Sequence, residues 1–345
     1  MGGHSYGLIA VHVVKDKKGS NVNIIQLRNP WGSFEWNGDW GDKSDCWTDE
    51  AKAEVNFRDA DDGTFWMSFD DFKKYFSRIQ ICKFQNEFSF TSFKCKHTQV
   101  GYHLVKMQVG QAGHHTVSVS QKDERCFPRN SGYEYNNCRF ILMQLKDAHG
   151  ISSGVTFMKG TKGYQDRDTY IEMDDLEKGT YYLFVEMEWN DTTPSADRCF
   201  NVTDYGPGKT SFLADEAGAY SIDKVLCEVY LSKACPTSGA APEDVEVKPM
   251  TAKKAPLITR YECNQAPEGY NFVLVANEDP EARYRESVDY GTFEGLQILG
   301  SDEHKYDLDV GPGETKIILM RAEIQGFNMA ASMTQEVRHG DKKLK

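Results

Sequence analysis

The chain has 345 residues, a formal net charge of −12, and 39% hydrophobic and 12% aromatic residues. The surplus of acids excludes the basic face that a nucleic-acid partner requires, and it suits a protein that gathers cations on carboxylates. The apolar content excludes a disordered chain, and the length predicts two or three cores.

Residues 1–84 stand apart, because five of the six tryptophans precede residue 67. Tyr6 to Val14 reads as a strand, Lys15 to Ser20 as a polar turn around Gly19, and Val22 to Arg28 as the returning strand. Such a hairpin brings His4, before its first strand, beside Asn29, after its second. Thr48 to Phe57 carries acids in its first turn and reads as a short helix. Thr64 to Phe69 is strand-like. Ser68 and Asp71 form a capping-box pattern ahead of Phe69, Phe72 and Phe76 at helical spacing. Arg78 to Phe84 is expected to close this part as a strand.

Residues 85–235 change to short strands separated by turn signals. His115 to Ser120 and Cys138 to Leu145 alternate, Tyr181 to Met187 reads as a buried strand, and Gly206-Pro207-Gly208 is a breaker. This spacing predicts an antiparallel sandwich. Residues 236–256, rich in Pro, Ala, Lys and Glu, read as a linker. Residues 257–345 alternate again, with Asn271 to Ala276, Tyr306 to Val310, the turn Gly311-Pro312-Gly313, and Thr315 to Met320. They read as a small β-rich domain, for which a divergent second sandwich is one form. The fold class is α+β, mostly β.

The nine cysteines are odd in number, irregularly spaced and without a CxxC pair. This argues against a disulfide framework or a zinc site and for reduced thiols in a cytoplasmic protein. No run approaches the ~20 apolar residues of a membrane span, which leaves peripheral contact as the form of membrane association. His114 and His115 would point to opposite faces of a strand and not share an ion. The acids from Asp166 to Glu177 read as a solvated loop region.

The phrases Gly3-His4-Ser5-Tyr6 and Leu27-Arg28-Asn29-Pro30-Trp31-Gly32 resemble the second half of a papain-type cysteine protease site, and in detail that of the calpain family. Val117 to Asp123 and Gly179 to Val185 are similar to strands of the calpain-type β-sandwich. The resemblance implies a papain-like second subdomain followed by antiparallel β-sandwich domains. It makes His4 the general base, Asn29 its orienting partner and Trp31 the indole over their hydrogen bond. The nucleophile of such a site is a thiolate. In that family the cysteine precedes the histidine, and here three residues do. The resemblance therefore implies a Cys-bearing protease half as partner and no activity for this chain alone. Asp45-Cys46-Trp47 looks like the nucleophile phrase, but it follows the asparagine and opens no helix, so Cys46 is a decoy.

Glu35, Asp42 and Asp62 match positions that wrap calcium in the family, with Ala60 where a backbone carbonyl serves and Thr64 where another acid is usual. The implied function is calcium-dependent hydrolysis of internal peptide bonds in protein substrates. The alternative is a non-catalytic calcium- or lipid-responsive sandwich scaffold carrying a relic half-site.

Overall fold

The computed structural model describes residues 3–96, 101–146, 151, 154–236, 240–249, 257–339 and 342–344. The chain divides into two compact units, Met1–Phe84 and Gln85–Lys345. It is mostly β, with short helices. No described helix is long and apolar enough to cross a membrane.

The first unit is an antiparallel sheet of β1 (Gly7–Lys15), β2 (Asn21–Arg28) and β3 (Thr64–Ser68), in that order. The two-residue period of a strand sorts the apolar side chains to opposite faces. Ile24 and Trp66 go to one face, with Trp40, Trp47 and α1 (Asp49–Glu54). Ile25, Leu27, Phe65 and Met67 go to the other, where Phe72 of α2 (Phe69–Tyr75) covers them. Both helices start at side-chain caps. Thr48 Oγ1 accepts from Ala51 N at 3.1 Å, and Ser68 Oγ accepts from Asp71 N at 3.0 Å while donating to Asp71 Oδ2 at 2.8 Å. Such a cap contributes about 1 kcal/mol. The stretch 78–84, expected as a strand, is irregular. Ile79, Ile81 and Phe84 are exposed there, and no described strand pairs with it.

The second unit begins with a sandwich. Its five-stranded sheet runs β12 (Thr210–Asp215), β5 (Tyr102–Val109), β10 (Gly179–Glu188), β7 (Asn137–Leu145), β8 (Val155–Gly163). Its four-stranded sheet runs β4 (Phe88–Lys96), β11 (Cys199–Pro207), β6 (Gly113–Gln121), β9 (Asp168–Leu176). Val105, Met107, Val117, Phe140, Leu183 and Val202 fill the space between them. A second sandwich follows. One sheet runs β13 (Glu246–Pro249), β14 (Ile258–Cys263), β15 (Tyr270–Asn277), β19 (Thr315–Ala322), β17 (Leu296–Ile298). The other runs β18 (Lys305–Val310), β16 (Ala282–Glu294), β20 (Asn328–His339), β21 (Lys342–Leu344). Within 236–256, which composition marks as a linker, Glu246–Pro249 is thus a strand paired with β14.

A helix that the strand-like texture of residues 85–235 hides, α3 (Ile222–Ala234), lies between the sandwiches. Val225, Leu226, Val229 and Tyr230 recur on one side of it at helical spacing. They share a core with Leu104, Ile141 and Phe184 of the first sandwich and Phe272, Leu274 and Leu319 of the second. Covered on both faces, β7 is buried almost without interruption and does not alternate in burial as its sequence suggests. Its Arg139 is fully buried, paired with Glu186 at 3.0 Å and Glu188 at 2.5 Å, and donates to Gly269 O at 3.0 Å.

Candidate active site

The hairpin β1–β2 ends where it begins: Gly7 pairs with Arg28, so the residues flanking the two strands meet. His4 Nε2 lies 2.9 Å from Asn29 Oδ1. Asn29 is fully buried, and its amide orientation is set by neighbours. Asn29 Nδ2 donates to Ser33 O at 2.7 Å and to Phe34 O at 3.4 Å, so the other amide atom is the acceptor. That oxygen also accepts from Trp31 N at 3.1 Å, an Asx turn across Pro30. Because Asn29 Oδ1 can only accept, the His4 nitrogen that donates in this bond is Nε2, which makes Nδ1 the nitrogen available to other groups. The indole of Trp31 lies over the imidazole, with ring centres 4.3 Å apart, and Tyr6 meets it edge-on at 4.8 Å. Trp31 is 58% exposed, so it lids the ring without being core. All three predicted catalytic positions are brought together.

Sequence reasoning missed the carbonyls of Ser33 and Phe34. Phe34 reaches Asn29 with a φ of 63°, a conformation that no residue pattern announces. Cys46 packs with the Trp40 and Trp47 cluster on one face of the sheet, whereas Tyr6, which contacts His4, packs on the opposite Phe65 face.

The loops after β2 and before β3 carry the acids. Glu35 Oε1 accepts from Asp62 N at 2.9 Å and from Gly63 N at 2.7 Å. Asp42 Oδ2 accepts from Ala60 N at 3.3 Å, while Asp42 Oδ1 is buried with no hydrogen-bond partner. Burial pushes the Asp42 carboxyl up to about 6, against the Ala60 bond and with added repulsion from Glu35 and Asp59. Glu35, Asp42, Asp59, Ala60 and Asp61 line one cavity of about 320 Å³. A desolvated, unpartnered carboxylate oxygen among further carboxylates fits a hard cation with oxygen ligands.

Asp62 departs from the predicted set. It is exposed, and its Oδ1 accepts from Thr64 N at 2.8 Å, which holds its carboxyl below the usual range. The oxygens of Glu35, Asp42 and Asp62 do not converge within 4.8 Å of one another.

The family model described as calpain family cysteine protease matches residues 1–83. Residues 1–83 are a calpain-family segment. Mouse calpain-8 is 47% identical over 83 residues, human calpain-9 41% over 83, and the bovine calpain-2 catalytic subunit 42% over 82. Each calpain match covers 23% of this chain and 12% of the relative. Among solved structures, hazelnut (Corylus avellana) vicilin aligns over 74% of this chain and 77% of its own at 9% identity. Its TM-score of 0.16 is too low to indicate a shared fold.

Proposed function

We propose that residues 1–84 form the general-base half of a calcium-dependent, calpain-type cysteine endopeptidase acting on protein substrates. The observation that carries this reading is the 2.9 Å bond from His4 Nε2 to a buried Asn29 whose amide is locked by its own loop. With Nε2–H committed to Asn29, Nδ1 takes the proton of a thiol presented by a Cys-bearing half. The thiolate attacks the peptide carbonyl, and the imidazolium then protonates the leaving amine. A water activated by the same nitrogen releases the acyl group as a carboxylic acid. Trp31 keeps solvent from competing for the His4–Asn29 bond.

Calcium would be held by Glu35 and Asp42, the Ala60 carbonyl and a reoriented Asp62, and it would supply the positive charge that draws the two loops together. The free cysteines suit a reducing, cytoplasmic setting.

The test is reconstitution. The full chain is combined, in trans or by fusion, with the Cys-bearing half of a calpain and assayed with a fluorogenic peptide and calcium. Activity is expected only with both parts, and His4→Ala should lower kcat/KM by about 10²–10⁴-fold. Equal turnover by the variant, or by the chain alone, ends this reading. An inert mixture whose halves bind leaves the calcium- or lipid-responsive scaffold in its place.

A further inference from the structure

The first sandwich contains a second cluster of chemically capable side chains, and it belongs wholly to residues 85–345. Cys95 lies on β4, an edge strand of the four-stranded sheet. His103 lies on β5 and Asp215 ends β12, the edge strand of the five-stranded sheet. The ligand atoms of these three side chains all lie within 4.8 Å of one another. Cys95 is 1% exposed and His103 2%, while the Asp215 side chain keeps 20% of its surface open.

The surroundings hold each group in place. Asp215 Oδ1 accepts from Leu104 N and Ala217 N, both at 3.1 Å, which fixes the carboxylate. Its other oxygen, Oδ2, lies 2.6 Å from His103 Nδ1. Phe200, paired with Cys95 across β4–β11, sets its ring edge-on against the imidazole at 4.7 Å. In a tetrahedral zinc site with bonds of about 2.0–2.3 Å, the ligand atoms stand roughly 3.3–3.8 Å apart. The cluster is therefore within about an ångström of that size, a gap that side-chain adjustment closes.

We propose that Cys95, His103 and Asp215 form a zinc(II) site that clips the two sheets of the first sandwich together at their shared edge. Sulfur, imidazole nitrogen and carboxylate oxygen are together a zinc donor set, and thiol and imidazole disfavour calcium and magnesium. With three protein ligands, a water would complete the tetrahedron, and Asp215 is the ligand with the most exposed side chain. Capture displaces the Cys95 thiol proton, so affinity rises with pH. The absence of a CxxC pair, which argued against zinc, concerns sites built from one chain segment. Here the ligands come from three strands.

The experiment uses the full chain, reduced, stripped with EDTA and reloaded with zinc or cobalt(II) chloride. The expected result is about one metal per chain after desalting, a thiolate-to-cobalt charge-transfer band in the near ultraviolet, and a tetrahedral visible spectrum. Zinc affinity, read by competition with a chromophoric chelator, should fall by at least about 10–100-fold in Cys95→Ser and in His103→Gln. Cys82→Ser, at an exposed cysteine, should leave it unchanged. Wild-type protein that keeps no zinc, or binds cobalt without the thiolate band, overturns the proposal without needing any variant to fold. Retention of full affinity by folded Cys95→Ser also overturns it.

Discussion

Asn29 and Gly63 are bound to each other from adjoining loops. Asn29 N donates to Gly63 O at 2.7 Å, and a Cβ on Gly63 would stand 2.7 Å from Asn29 O and 2.9 Å from Gly32 Cα. Gly63 also has a φ of +84°, which a side chain resists. Gly63 N in turn donates to Glu35, so the acidic loop and the loop carrying the asparagine share one backbone junction.

Gly63→Ala should therefore destabilise the first unit by about 1–3 kcal/mol. Denaturant unfolding of the full chain followed by tryptophan fluorescence reports this unit, because it holds five of the six tryptophans. An unshifted midpoint would show that the junction is looser than described.

In the reconstituted protease, Asn29→Ala should cost less in kcat/KM than His4→Ala, because it frees the ring's orientation but keeps the base. Trp31→Ala should cost less again and chiefly through water at the His4–Asn29 bond. The ordering is read from kcat/KM of the three variants, and Asn29→Ala falling below His4→Ala would contradict it.

In the proposed calcium site, Asp42 would set a pH dependence of defined sign. Its folded carboxyl titrates at about 6, above the usual carboxylate value. The protonated form thus favours folding, and that contribution is lost as pH rises from about 4 through about 6. Asp42→Asn should stabilise the calcium-free chain near neutral pH and abolish the calcium heat in calorimetry. Wild-type calcium affinity should weaken below about pH 6, where the proton competes. Unchanged calcium heats in Asp42→Asn would remove this residue from the site.

His115 is a buried histidine with both nitrogens engaged, at 3.0 Å from Asp204 Oδ2 and 3.0 Å from Gln111 O. Burial opposes its charge, but the Asp204 bond and charge and the Gln111 bond outweigh it and raise the pKa above 6.5. The pair's contribution is complete below the unfolded value of about 6.5 and is lost as pH rises through the higher folded value. Denaturation midpoints of the wild type followed by circular dichroism should fall across that window, and Asp204→Asn should flatten the fall. A wild-type midpoint that climbs there would reverse the assignment.

Arg139→Met should destabilise the second unit by about 3–5 kcal/mol, because Glu186 and Glu188 lose a fully buried partner. Adding Glu186→Gln and Glu188→Gln should restore part of the loss, since Arg321 pairs with both carboxylates only from one side, at 2.7 and 3.3 Å. No recovery in the triple variant would mean that packing, and not charge, sets the cost.

The His4–Asn29 pairing was legible because it is local: one hairpin carries both ends of the bond, and Ser68 and Thr48 stand at the starts of the helices they cap. The tie between Phe34 and Asn29 was not, because it rests on backbone geometry. The stretch 78–84 carries strand-forming residues, but a strand also needs a neighbour, which sequence does not list. Arg139 lies in a strand read as alternating, and only the helix and second sandwich that cover its outer face explain why it is buried. Cys95, His103 and Asp215 are distant in sequence and share no motif, so only the pairing of β4, β5 and β12 with their sheets joins them.

The core around α3 bears on how this molecule can be cut. Tyr230 meets Phe157 of the first sandwich and Tyr270 and Phe272 of the second, so neither sandwich owns the helix. A truncation near residue 236, where composition invites one, would strip β15 and β19 from one side of α3 and uncover Tyr230 where Tyr270 and Phe272 meet it. Recombinant pieces ending there should aggregate, and proteases should find no stable fragment at that point.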